Sequence, residues 1–381
     1  MPVTLLKKSK KKKRGSKMTS RILAGDIGGT KTVLALYDTN GSSELSEIQG
    51  TCLAEQTYRN SEFSGFSEII TAFLADQEEQ PTHACFGVAG PIRANRVQMT
   101  NLDWELDSPA LAAQFGMQEV LLVNDVVATA AGVSHLPEDS LLALNQGRPD
   151  AQGNIGVLAL GTGFGQSFAV PINDNLLPFP TEGGHTSFAP RNQKHIELLQ
   201  FMFTRSGQQR QPPYQSPSVR VEQVCSGMAV PDLYAFMLTR YSEPEWMREK
   251  RVAAEPDALT PLIVQAANAT IDGGPSCEPA LRAIQLLLDI LADEAANFAL
   301  KVLATDGIYI GGGMLPRLLA HIDQDRFMEI FCRGVYQDML ADIPIHIITE
   351  PKTALLGSRY LAMQAEKRDL DIRYKVWLKL S

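Results

Sequence analysis

At 381 residues, with 44% hydrophobic and 20% charged side chains, the chain has room for two domains of ordinary globular composition, and no apolar run reaches the roughly 20 residues of a membrane helix. Five scattered cysteines (Cys52, Cys85, Cys225, Cys277 and Cys332), with no CxxC pair, argue against a disulfide framework or a cysteine-rich zinc site and for a reducing, cytoplasmic compartment. The net charge of −8 conceals eight basic and no acidic residues within positions 1–17, which leaves −16 for the remainder, a body that repels phosphate backbones.

Residues 1–17 read as a disordered basic leader, or an upstream start, ahead of Met18. A nucleic-acid or membrane-surface arm is the alternative for such a block. No apolar h-region follows it, so it is not a secretory signal. A short apolar strand over 21–24 leads into a glycine-rich turn at 25–30, and a second strand is expected over 33–37, closed by the Asn40-Gly41 hairpin signal. A helix fits 64–75, with Phe66, Ile69, Ile70 and Phe73 on one face. The near-continuous apolar runs 84–89 and 119–123 suit strands of a sheet covered on both faces, with a helix between them at 108–115.

The second half repeats the opening device. A strand at 155–160 runs into Gly161-Thr162-Gly163-Phe164-Gly165, and a further strand follows at 167–170. Strand, glycine turn and strand therefore occur twice, which suggests two related domains facing each other. The Gln/Pro/Ser-rich stretch 206–217 reads as an exposed loop. A long amphipathic helix over 278–303 precedes a strand at 307–310 and the triplet Gly311-Gly312-Gly313. A last helix is expected at 353–366, with a charged peripheral segment after it.

Several of these segments suit chemistry. A tight turn at Gly25-Asp26-Ile27-Gly28-Gly29-Thr30 exposes backbone N–H groups to a phosphate, with Thr30 and Lys31 adding a hydroxyl and a cation. An acid such as Asp26 beside phosphates makes sense only if a cation such as Mg²⁺ offsets the repulsion. Gly161-Thr162-Gly163 repeats the device, without the Gly-Lys-Ser/Thr of a Walker A loop. Gly311, Gly312 and Gly313 permit close approach of an adenine or ribose. Each of the three also reads as an ordinary connecting turn. Asn124-Asp125 ends a strand at the edge where α/β sheets bind ligands. Asp125 suits a general base and Asn124 a partner for a sugar hydroxyl, while the pair equally suits a helix N-cap. Glu182-Gly183-Gly184-His185 brings a carboxylate and an imidazole to one bend, or packs a histidine in a glycine loop. Glu222 is either a further ligand or an acid favoured at a helix start.

Taken together, in order and spacing, these segments resemble the bacterial glucokinase family of the actin–hexokinase–Hsp70 ATPase superfamily, over most of residues 20–365. GDIGGTKT at 25–32 is similar to the family's first phosphate motif, GTGFG at 161–165 to its second, and GIYIGGGMLPR at 307–317 to its adenosine motif. LLVNDVVATAAG at 121–132, EGGHTSFAP at 182–190, RVEQVCSG at 220–227 and MTNLDW at 99–104 resemble its sugar and catalytic segments. The resemblance implies an α/β, two-domain actin-like ATPase (ribonuclease H-like) fold with an interdomain cleft. It implies ATP and Mg²⁺ as cofactors, and glucose or a similar hexose as substrate, phosphorylated at its 6-hydroxyl in the entry step of glycolysis. Asp125 would be the base, while Asn124, Glu182, His185, Glu222 and Asn101 hold the sugar. Gly25, Asp26, Ile27, Gly28, Gly29, Thr30, Lys31, Gly161, Thr162, Gly163, Gly311, Gly312 and Gly313 would hold the nucleotide. No residue is assigned as a protein metal ligand. The zinc motif of the related ROK kinases is missing, and 191–195 matches nothing transferable.

The domains expected are a leader at 1–18, a small domain of 19–135 plus 353–369, a large domain of 136–352, and a tail at 370–381. Nucleic acid and membrane are not expected as partners, and a homodimer stays open. Two rivals remain: a kinase for another hexose, and a non-catalytic sugar-sensing regulator. For the latter, the 20 residues before the first strand are too few for a helix-turn-helix. The choice between ATP and polyphosphate as donor is also left open.

Overall fold

The computed structural model describes residues 21–39, 51–99, 102–172, 175–207 and 218–367. The basic leader, the Asn40-Gly41 turn signal, Asn101 and the segment after 367 lie outside these residues.

The first half is built on a five-stranded sheet. Its strands are β1 (Arg21–Ile27), β2 (Lys31–Asp38), β3 (Thr51–Arg59), β4 (His83–Val88) and β7 (Glu119–Asn124), ordered β3-β2-β1-β4-β7. The short hairpin β5 (Arg96–Gln98) and β6 (Glu105–Asp107) stands apart from it. Side chains alternate across the sheet, as the strand period of two requires. Leu23, Ile27, Leu34, Phe86 and Leu122 enter a core with α1 (Phe66–Ala75) and α2 (Ser108–Phe115). Ile22, Ala24, Ala35, Cys85, Leu121 and Val123 enter a second core on the opposite face, against α3 (Asp125–Val133) and the C-terminal helix Thr353–Lys367.

The second half repeats this plan. Strands β8 (Leu141–Asn145), β9 (Ile155–Leu160), β10 (Phe164–Ile172), β11 (Asn175–Thr181), β12 (Gly307–Gly311) and β13 (Ile345–Ile348) are ordered β11-β10-β9-β12-β13-β8. Without the added β8 this is the same arrangement: an antiparallel meander whose first strand pairs in parallel with a later strand, which in turn pairs in parallel with the next. Helices α4 (Gln193–Gly207), α5 (Val230–Leu238), α6 (Glu245–Ala253), α7 (Leu259–Ile271), α8 (Glu278–Val302), α9 (Gln324–Phe331) and α10 (Gln337–Asp342) follow in chain order before the final α11 (Thr353–Lys367). The long α8 carries Ile284, Leu287, Leu291 and Phe298 into the core of this half, against Leu158, Leu160, Ile308 and Ile310.

Helix α3 lies between the two halves. Val127, Ala128 and Ala131 pack on the first sheet, and Val126, Ala130 and Val133 meet Ile155, Val157 and Ala169 of the second. A helix covered on both sides is apolar all round, which is why 126–133 shows no polar stripe.

Three boundaries differ from the sequence reading, and two strands escape it. Strand β1 runs to Ile27, so Gly25, Asp26 and Ile27 are strand residues, and the turn is confined to 28–30. Likewise β10 starts at Phe164, which shortens the second turn to 161–163. Residues 206 and 207 close α4, and the rest of the expected loop at 206–217 lies outside the described residues. Strand β3 escapes sequence reading because it is an edge strand with almost every side chain exposed, so it lacks an apolar alternation. Strand β11 hides for a related reason: it carries Pro178 and Pro180, which only an edge position tolerates.

Candidate active site

Three parallel strands end level with one another in the first sheet, with Ile27 beside Val88 and Val88 beside Asn124. The β1–β2 turn closes with Gly28 N donating to Lys31 O at 3.0 Å. Its support comes from a residue no motif indicated. Asn60 is buried, donates from Nδ2 to Gly28 O and accepts from Thr32 Oγ1, both at 2.8 Å, while its backbone N donates to Thr30 O at 3.0 Å. An asparagine in a polar stretch gives no local sign of such a role.

At the end of β7, Asn124 is the N-cap of α3, accepting from Val126 N at 3.0 Å, and its amide donates to Gly90 O at 3.3 Å. The capping reading of Asn124 is therefore met. Asp125 occupies the first position of α3 and also accepts from Val126 N at 3.0 Å. Removal from water pushes its carboxyl up to about 6, and the nearby negative Asp26 adds to the rise. Burial likewise raises the Asp26 carboxyl, against a pull downward from Lys31. The partner on the other side is the second sheet: a Cβ on Gly165 would overlap Val126. The first turn of α3 thus presses against the start of β10, directly after the 161–163 turn, while Asp125 feels the charge of Asp26 at the end of β1.

In the second sheet the glycine segments converge. Gly161 N donates to Gly163 O at 3.1 Å, Gly227 N to Gly161 O at 2.8 Å and Met228 N to Thr162 O at 3.0 Å. Gly312 has φ +108, and a Cβ there would strike the Leu160 backbone, so only glycine fits. Met314 N then donates to Leu160 O at 3.1 Å, seating the 311–313 triplet beside the second turn. Gly227 joins this cluster although the sequence reading used its segment only for Glu222.

Three of the sugar candidates, Glu182, His185 and Glu222, lie close together. Glu222 lies in the 3₁₀ turn Val221–Gln223, and its Oε2 accepts from Phe164 N at 3.0 Å, so it is not simply a helix-start acid. His185 lies 3.9 Å from Glu222 through Nδ1 and 3.8 Å from Glu182 through Nε2. Beneath this loop, Gln166 is buried and donates to Glu294 of α8 at 2.9 Å. A cavity of about 310 Å³ is lined by Asn124 and Glu182 together with Ile92, Arg93, Val127 and Thr181, and so spans both halves. Asp125, His185 and Glu222 are not among its lining residues.

Solved structures share this shape. The crystal structure of glucokinase from an Antarctic psychrotroph matches with a TM-score of 0.74 and 25% identity, over 91% of this chain and 99% of that one. The glucose complex of Balamuthia mandrillaris glucokinase shares the fold, with a TM-score of 0.68 and 19% identity over 92% and 95%. A ROK family glucokinase from Streptomyces griseus, solved with glucose and AMPPNP, also shares it, at a TM-score of 0.57 and 18% identity over 91% and 100%. The protein is thus a kinase on the actin-like ATPase fold. Its sequence narrows the class. The glucokinase family model matches residues 23–365, and the curated glucokinase of Nostoc sp. (strain PCC 7120) is 34% identical over 359 residues, covering 90% of this chain and 98% of its own. That of Chromohalobacter salexigens is 32% identical over 349 residues, covering 90% and 97%. The chain belongs to the glucokinase family.

Proposed function

We propose that this enzyme transfers the γ-phosphoryl group of ATP to the 6-hydroxyl of D-glucose, giving glucose 6-phosphate at the entry to glycolysis. The observation that carries the reading is the Asp125 carboxylate, raised to about 6 at the start of α3, near Asp26 and on a helix packed against the strand that follows the second glycine turn. A base poised near neutral pH accepts a hydroxyl proton as the phosphorus is attacked. Glu182 and Glu222 accept hydrogen bonds from other hydroxyls, and Asn124 and His185 donate or accept. Asn101 is assigned to the same sugar from its motif alone.

The residues fit a nucleotide. Space is open at the α-carbons of Gly161 and Gly313, where any side chain would fill a cradle. We assign the phosphates to Gly28, Gly29, Thr30 and Lys31 with Gly161, Thr162 and Gly163, and the adenosine to 311–313. Among the described residues no group of three His, Cys, Asp or Glu could hold a metal. Asp26 lies at the end of β1, just before the turn assigned to the phosphates, where Mg²⁺ brought by the donor's phosphates would offset its charge. Bound so, the ion neutralises phosphate charge. Gly25 and Ile27 are paired within β1 on both sides, so their part is to position the 28–30 turn.

The moving parts we infer are 19–135 plus 353–369 against 136–352, closing on the substrates to exclude water. No described helix is long and apolar enough to cross a membrane. We place the enzyme in the cytoplasm on the strength of its five unpaired cysteines. Sedimentation decides whether two copies associate. A coupled ADP assay with glucose, mannose and fructose, with and without Mg²⁺, tests the activity. Glucose is expected to lead, and no turnover with any hexose would overturn the proposal. Asp125→Ala is expected to lower kcat by about 10²–10⁴-fold with glucose affinity little changed.

A further inference from the structure

Residue 220 is an arginine inside the sugar cluster, and the role of Glu222 and His185 does not account for it. Two chain segments meet here as a short antiparallel ladder. Phe188 N donates to Val219 O at 2.7 Å and Val221 N to Thr186 O at 2.9 Å, with Ser187 bridged to Arg220. The ladder fixes the Arg220 backbone two residues from His185. Arg220 N is further held by Gln223 Oε1 at 2.9 Å. From this anchored backbone the guanidinium reaches His185, with Nη1 3.5 Å from Nδ1.

That contact carries chemical information. A guanidinium has donors only, so the imidazole atom facing it must be an acceptor. In a neutral ring Nδ1 is then bare, and the proton sits on Nε2. The opposite tautomer also has a partner at hand, because Glu222 Oε1 lies 3.9 Å from the same Nδ1. Without the arginine, Nδ1–H facing the Glu222 carboxylate is the better arrangement, and Nε2 becomes an acceptor. Glu182 Oε2, 3.8 Å from Nε2, is the second acid at the mouth of the cluster.

We propose that Arg220 is a positioning residue that holds His185 in its Nε2–H form, so that the histidine selects a sugar hydroxyl whose oxygen accepts from Nε2 and whose proton goes to a carboxylate. This rests on the reading of His185 as a substrate ligand. A hydroxyl bound this way has its donor and acceptor directions both set, which a sugar of inverted configuration at that carbon cannot match. The general rule is that the hydrogen bond at one ring nitrogen decides what the other can do.

The test uses the full chain labelled with ¹⁵N-histidine. The nitrogen shifts of His185, assigned with His185→Gln, report the tautomer directly, whether or not the enzyme turns over. The wild type is expected in the Nε2–H form, and Arg220→Ala is expected to move it toward Nδ1–H. Kinetically, Arg220→Ala is expected to raise the hexose KM about 3- to 10-fold, the loss of one hydrogen bond, with kcat and the ATP KM held within about twofold. Arg220→Lys, which also carries donors only, is expected to restore part of the KM. In a His185→Gln background Arg220→Ala is expected to add nothing, since the arginine acts through the ring. An Nδ1–H wild type, an unchanged tautomer in Arg220→Ala, or additive effects in the double variant would overturn the proposal. A wild type with the expected tautomer but no activity on any hexose would instead overturn the proposed function and leave the role of Arg220 standing.

Discussion

Two carboxylates of the first half, Asp26 and Asp125, are each pushed upward by burial, and the first adds its charge to the second. A base titrating at about 6 loses its working form below that pH. We therefore expect kcat/KM to fall about tenfold per pH unit below pH 6. Asp26→Asn removes a negative neighbour, so it lowers the Asp125 pKa and shifts this limb to lower pH. An unmoved limb in the pH–rate profile would show that the two acids do not interact. Stability follows the same sign. The folded pKa of Asp125 lies above its ordinary 3.8, so its contribution is fully present below about pH 4 and is lost as pH rises through 6. Asp125→Asn is accordingly expected to melt higher than the wild type at pH 8, with the difference vanishing near pH 4. Thermal melts across that range measure it.

At the scale of elements, the crossing of α3 and α11 sets the geometry. Gly132 and Gly357 bring the two helix backbones into contact: a Cβ on Gly357 would overlap Ala128 O, and one on Gly132 would overlap Thr353 O. Gly357→Ala is expected to cost about 1–3 kcal/mol through overpacking, read as a lowered denaturation midpoint. It is also expected to disturb Asp125, which starts the helix being displaced. The sequence marks Gly357 as a break in a helix but not as a crossing point. Helices α2 and α8 and strand β9 were legible almost to the residue: Asp107 and Gly116 cap α2, α8 carries a long buried apolar stripe, and β9 is a near-continuous buried run. The exposed strand β3 and the proline-bearing β11 were not, since edge strands keep their pairing but lose the pattern.

At the scale of the molecule, two sheets share one plan, and α3 is packed by both. Closure of the halves about α3 and α11 is expected to reduce the radius of gyration when glucose and a non-hydrolysable ATP analogue are added together. Small-angle scattering checks it, and an unchanged radius would mean the cleft works without closing. The amino-acid sequence by itself determined the glycine turns, the buried strands that feed them, and the order of the sugar segments, because each depends on residues within a few positions of one another. Tertiary structure alone decided that Asn60 braces the first turn, that Gly227 joins the second, that Glu222 binds Phe164, and that Asp26 reaches Asp125. Those pairs are far apart along the chain, and no local pattern of hydrophobicity or turn chemistry encodes which distant backbone or charge a polar side chain will meet.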